Sequence, residues 1–119
     1  MKPFPEQFEL IQIFESEPVL KDADVPWGYN HLTFTRTMGD DRVDCEIEPG
    51  YETLKFRWKR SGVEVVDLDL HWVSGLQVEC EQGREAMVAT FRERSGLLPL
   101  RIQFRPSVRI SWGTSAEIV

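Results

Sequence analysis

The chain has 119 residues, with 14 Lys and Arg against 20 Asp and Glu, for a formal charge of −6. Its 41% apolar and 29% charged content suits a single folded domain over residues 1–119, with no room for a second core. No stretch approaches the ~20 apolar residues of a membrane span. The opening MKPFPEQFEL lacks the apolar run of a secretory signal, so a cytoplasmic location is expected.

In chain order, Phe4, Phe8, Leu10, Ile11 and Phe14 fall on one side of a helical wheel, and Pro5 suits a first turn. This predicts a short helix at 5–14, although Phe8, Leu10 and Phe14 would also share one strand face. Residues 15–28, with Pro18, Pro26 and Gly28, read as a connecting loop. From there a period of two dominates. Leu32, Phe34, Arg36 and Met38 share one face, as do Val43, Cys45 and Ile47, then Leu54, Phe56 and Trp58. Val63 and Val65 precede a shift of parity to Val66, Leu68, Leu70 and Trp72. Leu76, Val78 and Cys80 follow, then Met87, Ala89 and Phe91, then Leu98 to Phe104, then Val108, Ile110 and Trp112.

The turns set the register. A loop at Gly50-Tyr51 pairs Cys45 with Phe56 inside while Glu46 meets Lys55 and Asp44 meets Arg57 outside, so core and charge agree on one pairing. Ser61-Gly62 pairs Lys59 with Glu64, and keeping Leu68 and Leu70 inside then demands a β-bulge near Val65-Val66. A three-residue loop at Val73-Ser74-Gly75 would set Leu70 opposite Val78 and bring Glu79 beside Asp69. Gln82-Gly83 sets Val78 opposite Met87, Ser95-Gly96 sets Ala89 opposite Ile102, and Arg105-Pro106-Ser107 sets Ile102 opposite Ile110.

The fold expected is mainly β: an antiparallel meander of about eight strands with a short N-terminal helix. One such helix cannot cover the whole apolar face. The sheet must curl into a roll or small barrel, fold into a sandwich, or pair with a second copy of the chain. Cys45 and Cys80 read as small apolar residues. In a continuous ladder they lie three strand spacings apart, roughly 14 Å, too far for a disulfide.

Charge is uneven. Residues 1–50 carry 11 acidic and 4 basic side chains (net −7), whereas residues 84–119 carry 3 acidic and 6 basic (net +3), every basic one an Arg. Arg101 and Arg105 share a strand face with Arg109 just past the next turn, a candidate anion site, since guanidinium groups bind carboxylate and phosphate in bidentate geometry. Asp67, Asp69 and His71, with Glu79, are candidates for a cation site or an acid–base pair, set against a plain reading as one stripe of a charged outer face. Trp27 and Tyr29 in a loop, and Tyr51 at a hairpin tip, are candidate anchors for a partner or ligand.

No GxSxG, Gly-rich phosphate loop or HExxH occurs, and the serines fall in turns, so no catalytic residue and no cofactor is assigned. The acidic balance and lack of an RNP or KH signature argue against nucleic acid. The reading favoured is a non-catalytic protein-interaction domain whose −7 half steers a basic partner. In size and charge it resembles a bacterial immunity protein, though no motif carries that likeness. A second reading is a small β-barrel binding an apolar molecule: Trp27 and Arg109 loosely resemble lipid-binding barrels, but the spacing at Trp27 departs from Gly-x-Trp. A third is a metal-binding or hydrolytic site on the Asp67/Asp69/His71 face.

Overall fold

The computed structural model of the chain describes residues 1–116. Among these are one α-helix, α1 (Gln7–Phe14), and nine strands: β1 (Val19–Leu20), β2 (Leu32–Met38), β3 (Asp41–Glu48), β4 (Thr53–Arg60), β5 (Val63–Leu70), β6 (Val73–Glu81), β7 (Arg84–Phe91), β8 (Leu100–Arg105) and β9 (Arg109–Ser111). No helix among the described residues is long and apolar enough to cross a membrane.

The strands form two antiparallel sheets, each a meander in chain order: β1-β2-β3-β4-β5 and β6-β7-β8-β9. The first sheet has the register its sequence dictates. Cys45 lies opposite Phe56, Glu46 opposite Lys55 and Asp44 opposite Arg57. Across β4 and β5 the ladder shifts by one residue, as the parity change requires, and Arg57 then faces Asp67 and Lys55 faces Asp69. Threonines on β2, carboxylates on β3, cations on β4 and carboxylates on β5 stripe the outer face. Opposite charges thus meet across each of the two central pairings.

The apolar face is covered from within the chain. Leu32, Phe34, Val43, Cys45, Ile47, Leu54 and Phe56 of the first sheet share one core with Val73, Leu76, Met87, Ala89, Leu100, Ile102 and Phe104 of the second. Helix α1 adds Leu10, Ile13 and Phe14. Phe14 stacks on Phe34 of β2 at 4.5 Å and meets Phe104 of β8 edge-on at 5.0 Å, so one side chain joins helix and both sheets. The space a barrel would leave as a lumen is filled by these rings, and the sheet does not close. Of the coverings open to the sequence, the two-sheet sandwich is the one adopted.

Several expectations are corrected. The meander breaks after Leu70: β5 and β6 do not pair, and His71-Trp72 carries the chain from one sheet to the other. Gly75 is therefore no left-handed turn residue. It sits in β6 where the N-terminal segment crosses: Lys2 N–H donates to Ser74 C=O and Leu76 N–H to Pro3 C=O, both at 2.8 Å. A Cβ on Gly75 would lie 2.8 Å from the Lys2 carbonyl oxygen. Trp72 and Trp112, placed inside by parity, are exposed, as are Val63 and Val65. Ala89 pairs with Leu100 rather than Ile102, because a 3₁₀ turn at Glu93–Ser95 and the stretch to Pro99 lengthen the connection and β8 starts only at Leu100. Val78 opposite Met87 and Ile102 opposite Ile110 hold. Both cysteines are free, but for a different reason: they belong to different sheets, with Cys45 buried and Cys80 exposed. Residues 15–28 contain the two-residue strand β1, paired with β2.

Arg36 alternates inward with Leu32 and Phe34 and is only 6% exposed. Burial lowers its pKa, while the Glu85 carboxylate opposes that shift. Its guanidinium donates to the Ile13 carbonyl at the end of α1 and lies 3.4 Å from Glu15 Oε1. Glu15 also pairs with Arg105, whose Nε is 2.9 Å from Glu85 Oε1. These four residues tie the helix terminus to β2, β7 and β8.

Candidate protein-binding surface

One end of the sandwich gathers the large side chains the core leaves out. Tyr29 and Tyr51 are each 79% exposed and Trp72 is 64% exposed. Each is displayed by a local device. Pro26 leads into a 3₁₀ turn at Trp27–Tyr29, and Tyr29 N–H donates to the Pro26 carbonyl at 3.0 Å. Buried Asn30 braces that loop: its amide nitrogen donates to the carbonyls of Asp22 (2.6 Å) and Val25 (3.0 Å), and its oxygen accepts from His31 N–H (2.8 Å). Pro49 starts a second 3₁₀ turn, Pro49–Tyr51, which ends at Glu52 in the left-handed conformation and lies against the first. Val73 N–H donates to the Glu52 carbonyl at 2.9 Å, stitching the second turn to the inter-sheet link. Trp27 points the other way. It is half-buried, 6.3 Å from both Phe4 and Phe34, and closes this end of the core.

Trp72 stands between two grooves. Glu48, Tyr51, Thr53 and His71 complete the first, about 440 Å³. His71, Phe91, Arg92, Arg94, Ser95 and Leu97 complete the second, about 310 Å³. The Arg92 guanidinium sits 4.7 Å from the Trp72 ring centroid, a cation–π contact. On the neighbouring face His31 lies between two carboxylates, Nε2 3.2 Å from Glu46 and Nδ1 3.4 Å from Glu48. A carboxylate thus borders one side of Trp72 and two guanidinium groups border the other, with the His71 imidazole reaching both.

The remaining sequence candidates fall elsewhere. Arg101 and Arg105 do share the outer face of β8, but they serve different partners: Arg101 pairs with Glu79, Arg105 with Glu15 and Glu85. Arg109 joins Arg84, Arg101, Gln103 and Ser111 around a separate hollow of about 210 Å³. The acidic set divides as well. Asp67 faces Arg57 at 3.4 Å, and Asp69 lies 3.6 Å from His71 on an open face. Glu79 belongs to the other sheet. Among the described residues no three His, Cys, Asp or Glu side chains come together in a metal-binding group.

Parity reasoning missed Trp72, Arg92 and Arg94 as members of this surface. Alternation from Leu68 and Leu70 places Trp72 inward, but its backbone turns left-handed (φ 61°) and swings the ring out. The available signal was the His-Trp pair at the end of a strand followed by a Gly-containing segment, where a sheet can end as readily as turn.

No protein-family model matches the chain, and no curated protein matches it in sequence. Among solved structures it is similar to a chain of the contact-dependent growth inhibition toxin–immunity protein complex from Klebsiella pneumoniae 342. The TM-score is 0.77 at 20% identity, covering 92% of this chain and 94% of that one. At that identity the likeness establishes a shared fold.

Proposed function

We propose that this chain is a non-catalytic protein-binding domain of the immunity type, acting in the cytoplasm. It captures a basic partner protein through the end that carries Tyr29, Tyr51 and Trp72. The observation that carries this reading is the gathering of exposed Tyr, Trp and Arg side chains at one braced end of the fold. These are the residue types that dominate binding energy at interfaces. The net charge of −6, concentrated as −7 in residues 1–50, adds long-range attraction for a basic surface and speeds encounter.

The solved fold relative belongs to a complex of a toxin with an immunity protein. Two features favour the immunity role over the toxin role. The chain is acidic, and each of its histidines lies against surface carboxylates, His31 beside Glu46 and Glu48 and His71 beside Asp69, with no nucleophile or metal-binding group among the described residues beside them. The test is to produce the protein encoded by the gene adjacent to this chain's own, with and without this chain. Relief of growth arrest and a 1:1 complex on gel filtration are expected. Unrelieved arrest with no complex contradicts the reading.

A further inference from the structure

We propose that Trp72 is the central anchor of this docking surface and is held in a strained backbone for that purpose. It grips a partner segment that places a basic side chain on its Tyr51 side and an acidic side chain on its Arg94 side. The inference rests on the protein-binding reading above and identifies its energetic centre.

Three observations converge on Trp72. Its backbone is left-handed, with φ 61°, a region that bulky L-residues avoid and glycine occupies freely. Its ring is 64% exposed, so burial in the core does not repay that strain. With its neighbour His71 it also forms the ridge between the two grooves, where it lines both. Glu15, Glu52, Ser61 and Gln82 share this backbone region, but Trp72 is the one aromatic residue held in it among the described residues, where Gly or Asn would sit at less cost.

The occupant follows from the charges. The first groove offers the Glu48 carboxylate, already drawing on His31, and would accept a Lys or Arg. The second offers the guanidinium groups of Arg92 and Arg94, with Phe91 and Leu97 as an apolar floor, and would accept an Asp or Glu beside an aliphatic group. Arg92 over the ring fixes its orientation before the partner arrives, which lowers the ordering cost of binding.

The experiment separates stability from affinity, using the protein from the adjacent gene as probe. Trp72→Gly should melt about 2–5 °C higher than the parent, because it relieves a left-handed residue. It should bind the probe at least about 30-fold more weakly, the loss expected of a hot spot. Trp72→Asn, which also tolerates this backbone, should behave alike and guards against a folding defect in the first variant. Arg94→Glu should weaken binding about 10-fold or more by like-charge repulsion, while Arg109→Glu, which lines neither groove, should leave it unchanged. A fall in melting temperature of 5 °C or more in both Trp72 variants would make the residue structural and overturn the inference. So would parental affinity in either variant. If the parent chain itself fails to bind, the protein-binding reading falls and this inference with it, whereas binding by the parent together with parental binding by Trp72→Gly removes this inference alone.

Discussion

Gly75→Ala probes how the second sheet is finished. At Gly75 the N-terminal segment lies directly on β6. An added Cβ would sit 2.8 Å from the Lys2 carbonyl oxygen, from Pro3 Cδ and from Thr90 Oγ1. The threonine hydroxyl can rotate away. The other two atoms cannot, because residues 2 and 3 are pinned by 2.8 Å backbone hydrogen bonds to Ser74 and Leu76 on either side. Overpacking of this kind costs about 1–3 kcal/mol, and loss of one flanking hydrogen bond adds about 1 kcal/mol. The reduced freedom of the unfolded chain returns about 0.4–1 kcal/mol. A net loss of about 2 kcal/mol lowers the melting temperature by about 6–12 °C for a domain of this size. Gly113→Ala, whose Cβ would meet Leu98 Cδ1 at an ordinary 3.7 Å, supplies the control and should shift the melting point by about 2 °C at most. Circular dichroism or scanning fluorimetry reads both. In a chain shortened to begin at Phe4, the Gly75→Ala penalty should shrink to about 0.5 kcal/mol or less, because only the mobile hydroxyl remains in the way. An unchanged melting point in the full chain, or an undiminished penalty in the shortened one, would refute the reasoning.

Three further outcomes are expected. Arg36→Met should destabilise the fold by about 2–4 kcal/mol in urea unfolding, since it strips a buried donor from the Ile13 carbonyl and a balancing charge from Glu85. Adding Glu85→Gln should recover part of that loss. Hydrogen bonds from Arg60 (2.9 Å) and Trp58 (2.8 Å) hold the Asp41 carboxyl below the usual carboxylate range. A carboxyl depressed in the folded state contributes stability that is fully present above its unfolded value of about 3.9 and is lost as pH falls through the folded value. The parent should therefore lose melting temperature more steeply below about pH 4 than Asp41→Asn does. Burial pushes the Cys45 thiol well above the ordinary range, whereas Cys80 is exposed and only raised. A thiol reagent at pH 8 should modify one cysteine in the native chain, Cys80, and two after unfolding.

Much of the first sheet was legible because two independent patterns coincide there. The alternation of Val43, Cys45 and Ile47 with Leu54, Phe56 and Trp58 fixes which residues face inward. The alternating charges Asp44–Arg57 and Glu46–Lys55 fix the same register from outside, so a slip would break both. The parity change at Val65-Val66 even located the bulge. The second sheet lacks such outer pairs. At Val73-Ser74-Gly75, parity and a glycine were satisfied equally by a hairpin or by a crossing to a new sheet, and the choice is made by contacts with residues 2 and 3, some seventy positions away. The same non-local event exposes Trp72, which is why the docking end was only half visible. Tyr29 and Tyr51 stand in turns that the sequence marks with Pro26 and Pro49, but Trp72 follows a strand pattern until its backbone turns. The arginines of β8 were placed on the right face. Their partners lie just past the end of α1, on β6 and on β7, and no spacing along the chain reveals those.

Backbone amide hydrogen exchange, recorded with and without the protein from the adjacent gene, tests the central claim most directly. The account predicts added protection at residues 27–31, 49–53, 71–73 and 92–98, with little change over 101–111. Protection confined to the outer face of β7–β9, around Arg84, Arg101 and Arg109, would contradict it.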